Sequence, residues 1–226
     1  MKKREHAWGT KGLINSLRKK SYEGACEESS SLLEYSPNAK LLDIGCSDGL
    51  RTTQFARKIG TQDIVGIDAR GSRASFKVIS KNVEEGLPFV EDSFDVVTAC
   101  HIIEHLSNTD LFAQEIYRVL RPNGYAVIET PNMANGLTII ELLLNKQPGI
   151  AHISDFLPYR DDPSRGWEWC KGYLHRRLFT MEGLENLLTY YGFRVECKKR
   201  TGYGRFIFGR ILRGLYAANL LVKVRK

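Results

Sequence analysis

The run His101-Ile102-Ile103-Glu104-His105 places two imidazoles four positions apart with a carboxylate between them. On a helix, side chains three and four apart are neighbours, so all three would line one edge. Two chemistries use such a set. Imidazoles with a carboxylate hold divalent metals, and a histidine, which titrates near neutrality, takes a proton from a hydroxyl. Which of the two applies depends on the element that carries the run.

A second chemistry-bearing stretch is Leu41-Leu42-Asp43-Ile44-Gly45-Cys46-Ser47-Asp48-Gly49. It sets an acid at the end of an apolar strand and glycines in the turn that opens a helix. Glycine lets the backbone come close to a ligand, and the helix start offers unpaired N–H groups. A dinucleotide site would put a pyrophosphate there, but Asp48 at the helix start opposes a phosphate and disfavours NAD. Asp68, at the end of the next strand, suits a ribose, since one carboxylate accepts from both the 2′ and 3′ hydroxyls; the same residue type also caps helices. Together the two stretches describe a site for a nucleoside cofactor without a pyrophosphate.

The elements that must position these residues follow from hydrophobic pattern and turn signals. Residues 40–45 and 63–68 read as buried strands, and 76–80 as a third strand joined to the second by the short link 69–75. Residues 94–100 and 125–131 are a fourth and a fifth, and two more are read at 193–197 and 219–226. A charged helix is predicted over 16–35, and another over 50–60 with Leu50, Phe55, Ala56 and Ile59 inward and Gly60 as its cap. After the fourth strand, Ser107 and Asp110 resemble a capping box. Leu111, Phe112, Ile116, Val119 and Leu120 then mark one apolar face before Arg-Pro-Asn-Gly (121–124) turns the chain. A last helix carries Leu184, Leu187, Leu188 and Tyr191 and stops at Gly192. Alternating strands and helices argue for an α/β sandwich around a mostly parallel sheet.

The whole chain narrows the function. Its 226 residues suit one domain. No apolar run approaches the roughly 18–20 residues of a membrane span, and the basic opening lacks the apolar segment of a signal peptide. Five cysteines without a C-x-x-C pair read as free thiols of a reducing, cytoplasmic compartment. The net charge of +7 is unevenly placed: +6 over residues 1–20, +9 over 198–226 and −8 between them. Basic ends on an acidic body suit an anionic partner, including a peripheral membrane contact. No base-stacking or phosphate motif accompanies them, so nucleic acid is not expected.

In chain order, LLDIGCSDG, VGID, LPF followed by SFDVV, EHL and RPNGYAVIETPN resemble the class I S-adenosylmethionine-dependent methyltransferases, in the UbiE-like (type 11) branch that includes ubiquinone and menaquinone methyltransferases. The likeness runs over residues 39–131 and continues more loosely through HRRLFTMEGLENLLTYYGFRVE and LLVKVRK, where it is similar to members associated with cell-surface glycans. The resemblance implies a Rossmann-like three-layer α/β sandwich on a mostly parallel seven-stranded sheet. Its strand order is 3-2-1-4-5-7-6, with the last strand antiparallel and a lid inserted after the fifth. One methyltransferase domain over 1–226 would then comprise a basic segment and helix (1–36), a lid (132–179) and a final helix and strands (180–226).

S-adenosylmethionine is the implied cofactor. Asp43 and Gly45 would border its methionine part, with Cys46, Ser47 and Gly49 in the same turn. Asp68 would hold the ribose with Ala69 beside it, Asn82 and Val83 would lie by the adenine, and Cys100 or His101 would flank the sulfonium. Ser47 stands where the family more often has glycine, which is harmless if its dihedrals are ordinary. The short link between the second and third strands bears on the adenine contacts.

Within that frame the opening run reads differently. An H-x-x-E-H zinc protease carries its histidines inside an established helix with a further acid downstream, whereas His101 directly follows a strand. No resident metal is expected, although some quinone O-methyltransferases place E-x-x-E-H here and bind a divalent ion; His101, Glu104 and His105 would be its counterpart, with histidine in place of the first glutamate. Methyl transfer to a hydroxyl calls for a general base, expected in His105 or His101 with His152 or His175 as substitutes. The acceptor, a small molecule or glycan, is expected beneath residues 132–179. There Phe156, Tyr159, Trp167 and Trp169 would stack on a ring or form the insertion's own core, and Arg160, Arg165, Arg176 and Arg177 suit a phosphate or carboxylate. The tail 204–224 mixes apolar and basic residues and reads as a packed helix with a closing strand, or as a membrane contact. The rival reading is a non-catalytic module that keeps the cofactor fold.

Overall fold

Strand β1 (Leu41–Ile44) is buried along its whole length, as an apolar run between two helical layers must be. It lies in the middle of a seven-stranded sheet seen in a computed structural model, which describes residues 27–71, 74–153, 174–201 and 217–226. The other strands are β2 (Ile64–Asp68), β3 (Lys77–Ser80), β4 (Phe94–Cys100), β5 (Leu120–Pro131), β6 (Arg194–Thr201) and β7 (Asn219–Arg225). Their order is β3-β2-β1-β4-β5-β7-β6. Strands β1 to β5 pair in parallel, and β7 runs antiparallel to both β5 and β6. The Rossmann-like order and the single reversed strand are those the resemblance implies.

Neighbouring strand residues face opposite sides, so each face acquires its own core. Leu42, Ile44, Val97 and Ala99 pack with Phe112 and Ile116 of helix α2 (Thr109–Val119). Leu184 and Leu188 of helix α4 (Met181–Tyr190) join the same layer. On the other face Leu41, Val96, Val127 and Leu221 meet Phe55 and Ile59 of helix α1 (Leu50–Ile59), together with Leu32 and Leu33. Helix α3 (Gly136–Leu143) follows β5, beyond a parallel bridge between Asn132 and Phe179.

Several local expectations need correction. The helix predicted over 16–35 is already finished at Ser30, because the chain beyond is drawn into the core: Ser36 N–H donates to Ile59 O at 2.7 Å and Glu34 N–H to the Tyr125 hydroxyl at 2.9 Å. Leu50 is exposed, leaving Thr52, Phe55, Ala56 and Ile59 as the buried face of α1. The cap of α2 is Asn108, whose side chain accepts from Leu111 N–H at 2.9 Å, not a Ser107–Asp110 box. Residues 121–124 do not end one element before another. They bulge out of β5, whose register against β4 jumps from Phe94↔Leu120 to Val96↔Tyr125. Residues 16–26, 72–73, Phe156, Tyr159, Arg160, Arg165, Trp167, Trp169 and most of the tail (204–216) lie outside the described residues.

Candidate cofactor and acceptor site

The turn leaving β1 is built for close approach. Gly45 and Gly49 take φ of 77° and 78°, and a Cβ on Gly49 would fall 2.5 Å from Ala74 Cβ, so no larger residue fits beneath that segment. Ser47 is also left-handed, with φ 49°, so the condition under which serine would be harmless in place of glycine is not met. Such a conformation costs about 1–3 kcal/mol. The turn so formed aims Ser47 N–H at Asp68 Oδ2, 3.0 Å away, while Arg70 N–H donates to Oδ1 at 3.0 Å. The Asp68 carboxylate is thus fixed at the end of β2 by two backbone donors, and each oxygen retains acceptor capacity.

Beside it opens a cavity of about 1000 Å3. Gly45, Ser47, Asp68, Ala69, Asn82, Val83 and His101 line it, and so does His105. Asp43, Cys46, Gly49 and Cys100 do not. Asp43 is buried behind the turn, bound by the hydroxyls of Thr52 and, at 2.6 Å, Thr98, and its burial raises its pKa against those bonds. Burial also pushes the Cys46 thiol up to about 12 and that of Cys100 well above its ordinary range, so both stay protonated. Asn82 caps the short turn Val83–Glu85, accepting from Glu84 N–H at 3.1 Å.

His101 follows β4 with φ 56°, its N–H donated to Glu129 O at 2.8 Å. Its ring lies between two buried carboxylates: Nδ1 is 3.3 Å from Glu104 Oε1, and Nε2 is 3.7 Å from Glu129 Oε1. Burial opposes a charge there, but the bonds and charges of Glu104 and Glu129 outweigh it and hold the pKa up at about 9. Both carboxyls are correspondingly held below their ordinary range by His101, against their own burial. A pKa held that high favours the imidazolium at neutral pH, with Nδ1 hydrogen-bonded to Glu104 and Nε2 facing Glu129, which suits His101 poorly to taking a proton. The stabilisation this brings is complete below about pH 6.5, the ordinary value, and is lost as pH climbs towards about 9. Thermal unfolding should show the midpoint falling across that window, and His101→Gln should flatten the slope.

His105 differs. Its Nδ1 faces Leu174 O at 3.1 Å, and a carbonyl only accepts, so Nδ1 carries a proton. Glu104 Oε1 lies 3.8 Å from that Nε2, and Thr130 donates to the other Glu104 oxygen at 2.9 Å. The segment over His105 is tied down by the N–H groups of Arg176 and Arg177, which donate to Glu104 O at 2.7 and 3.0 Å. His175 donates Nδ1–H to Ile150 O at 2.9 Å, and burial lowers its pKa. Glu104, His105 and His175 offer ligand atoms within 4.8 Å of one another. Sequence reasoning named each histidine but not this convergence. It missed Glu129 altogether, a residue signalled only by an acid inside an apolar strand. Glu129 also accepts from Ser29 Oγ at 2.8 Å and Asn219 Nδ2 at 2.9 Å, and lies 3.4 Å from the Arg51 guanidinium.

The family described as a methyltransferase domain matches residues 17–198. The chain belongs to this family. It is a class I S-adenosylmethionine-dependent methyltransferase of the UbiE-like branch. The ubiquinone biosynthesis O-methyltransferase of Rattus norvegicus mitochondria is 28% identical to the methyltransferase over 182 residues, 74% of this chain and 48% of that protein. Its namesake in Nitrobacter winogradskyi is 28% identical over 144 residues, 57% of this chain and 54% of that one. The methyltransferase thus spans about half the length of these curated relatives.

Among solved structures, an S-adenosylmethionine-dependent methyltransferase from Mesorhizobium loti superposes with a TM-score of 0.63 at 18% identity, over 90% of this chain and 99% of that one. The 1,6-didemethyltoxoflavin-N1-methyltransferase of Burkholderia thailandensis, solved with bound S-adenosylhomocysteine, gives 0.60 at 17% identity over 96% and 86%. These two show the fold. The cofactor of the methyltransferase is S-adenosylmethionine, and the residues present fit it: a glycine turn that no Cβ could replace, a fixed carboxylate and a cavity of suitable size.

Proposed function

We propose that this enzyme methylates a hydroxyl oxygen of a small-molecule or glycan-type acceptor, with His105 as the general base. The observation that carries the reading is the contact of His105 Nδ1 with Leu174 O at 3.1 Å, which orients the ring at the cavity wall with Nε2 on the side of Glu104. In this reading Asp68 accepts from the ribose hydroxyls, Asn82 and Val83 border the adenine, and Gly45, Ser47 and Ala69 shape the floor. S-adenosylmethionine, when bound, supplies an electrophilic methyl group and departs as a neutral thioether, so no acid is needed for the leaving group. His105 Nε2 takes the hydroxyl proton as the oxygen forms its bond to carbon. Glu104, 3.8 Å away, offsets the imidazolium that results. Holding acceptor and methyl in line supplies up to roughly 7–11 kcal/mol of the barrier reduction. The relatives named as O-methyltransferases support an oxygen acceptor. Basic termini support a peripheral membrane contact, and free thiols at Cys46, Cys100 and Cys197 support a cytoplasmic location.

A second reading is metal-assisted O-methylation, favoured by the convergence of Glu104, His105 and His175. One experiment separates the two. Purified enzyme is assayed for cofactor turnover on phenolic and sugar hydroxyls before and after chelation, with elemental analysis of the protein. Turnover that survives chelation supports His105 as base. Turnover that vanishes and returns with a divalent ion hands His105 to the metal, and an amine or carbon acceptor without any hydroxyl substrate defeats both.

A further inference from the structure

Residues 174–177 form a strap over His105, and alternate members of it face the cavity. Leu174 and Arg176 line the wall beside His105 and Leu106. The other two are committed elsewhere: His175 bonds Ile150 O through Nδ1 at 2.9 Å, and Arg177 donates Nη2–H to Ser107 O at 2.7 Å. The backbone of Arg176 is fixed, because its N–H donates to Glu104 O at 2.7 Å, one residue from His105. Its side chain is largely uncommitted. A guanidinium carries five N–H donors in a planar fork. Among the described residues its partner is the Ser107 hydroxyl, which accepts from Nη1 at 3.2 Å, and no described carboxylate pairs with it. Arg177 already ties the strap to the turn before α2, so the Arg176 side chain is not needed for that.

The charges around the cavity are sorted. Its acids are engaged by backbone donors: Asp48 accepts from Leu50 N–H at 3.1 Å, Asp68 from Ser47 and Arg70, and Glu84 from Ser107 N–H. Of the lysines and arginines in its wall, Arg70 follows β2 and Lys81 follows β3, next to the residues assigned to ribose and adenine. Arg176 alone of the three stands on the His105 side. A fork with unspent donors beside the proposed base matches a group with two anionic oxygens, which it can meet with two parallel bonds. A neutral acceptor would leave those donors to water.

We propose that Arg176 determines specificity by receiving a carboxylate or phosphate group of the acceptor, so that the methylated hydroxyl belongs to an anionic molecule. The proposal rests on the hydroxyl-methylating reading of the same cavity. The same oxyanion chemistry has a second source in the methionine carboxylate of the cofactor. That part of the cofactor is expected at the turn after β1, whereas the strap crosses beyond β4, at Glu104 and Ser107, which favours the acceptor.

The test is calorimetric titration of the full chain, saturated with S-adenosylhomocysteine, with two pairs of probes: 3-hydroxybenzoate against phenol, and glucuronate against glucose. The charged member of at least one pair is expected to bind about tenfold more tightly, the effect of a hydrogen bond to a charged group. Arg176→Met should erase that difference, and Arg176→Lys should keep part of it, because a point charge lacks the fork. Arg177→Met should leave the difference in place. An unchanged affinity of Arg176→Met for S-adenosylhomocysteine shows that the fold is intact and that the cofactor's carboxylate is held elsewhere. A loss of that affinity overturns the proposal and gives the arginine to the cofactor. Equal binding of charged and neutral probes overturns it too, as does binding of neither, or a preference that survives Arg176→Met. The underlying reaction fails separately: the preference without methylation of any probe sinks the reaction and keeps the anion site, and methylation of charged and neutral probes alike does the reverse.

Discussion

Asp68→Ala is expected to lower the affinity for S-adenosylmethionine by about 100-fold or more in a calorimetric titration. The carboxylate is held by Ser47 and Arg70 N–H groups, each at 3.0 Å, and so is oriented before any ligand arrives. Two hydroxyls donating to it would form charge-assisted bonds of about 1.5–3 kcal/mol each, and the smaller pair of values already amounts to about a 100-fold change. The alanine also strips the partner from a left-handed serine, so part of the loss would come through the turn. Asp68→Asn separates the contributions, because its one carbonyl oxygen can keep a backbone bond while the amide cannot accept. An affinity within threefold of wild type in both variants would remove Asp68 from the cofactor site.

His105→Gln should reduce kcat by about 10²- to 10⁴-fold, the usual contribution of a positioned base, while leaving S-adenosylhomocysteine affinity unchanged. Glutamine can still donate to Leu174 O, so the segment above the helix start stays tied, and the loss reports proton transfer rather than collapse. Glu104→Gln should cost less in kcat, since it only stabilises the charge that His105 acquires. If His105→Gln keeps wild-type turnover on a hydroxyl acceptor, the base assignment is wrong, and His175, the ring next to it at 5.2 Å, becomes the residue to test.

Much of the frame was readable because each parallel strand is a short apolar run closed by turn residues, and because helix faces repeat at three and four. The shape of the turn proposed for the cofactor was readable for the same reason: Gly45, Gly49 and Asp68 sit at or just beyond strand ends, where local sequence dictates backbone shape. What escaped reading is non-local. Ser29 reaches Glu129 across 100 positions and Asn219 reaches it across 90, and no periodicity announces either. The proton state of His101 depends on those distant carboxylates, so two histidines that look equivalent in the sequence part company only in three dimensions. Asn108 caps α2, while the Ser107 hydroxyl accepts from the Arg176 guanidinium at 3.2 Å instead. The exposed leucines of α3 (Leu137, Leu142 and Leu143) fit a helical period perfectly well, but periodicity says which residues share a face and not which way the face turns.

Strand β7 lies between β5 and β6, although it is the latest of the three in sequence. Its Asn219 holds Glu129, and the residues just before it hold Asn132, which follows β5. During synthesis, then, the carboxylate that keeps His101 charged has no complete set of partners until residues 217–226 have been made and inserted. A chain lacking them would possess every residue of the turn after β1 and yet hold Glu129 without its Asn219 bond and Asn132 without its bond to Ala217.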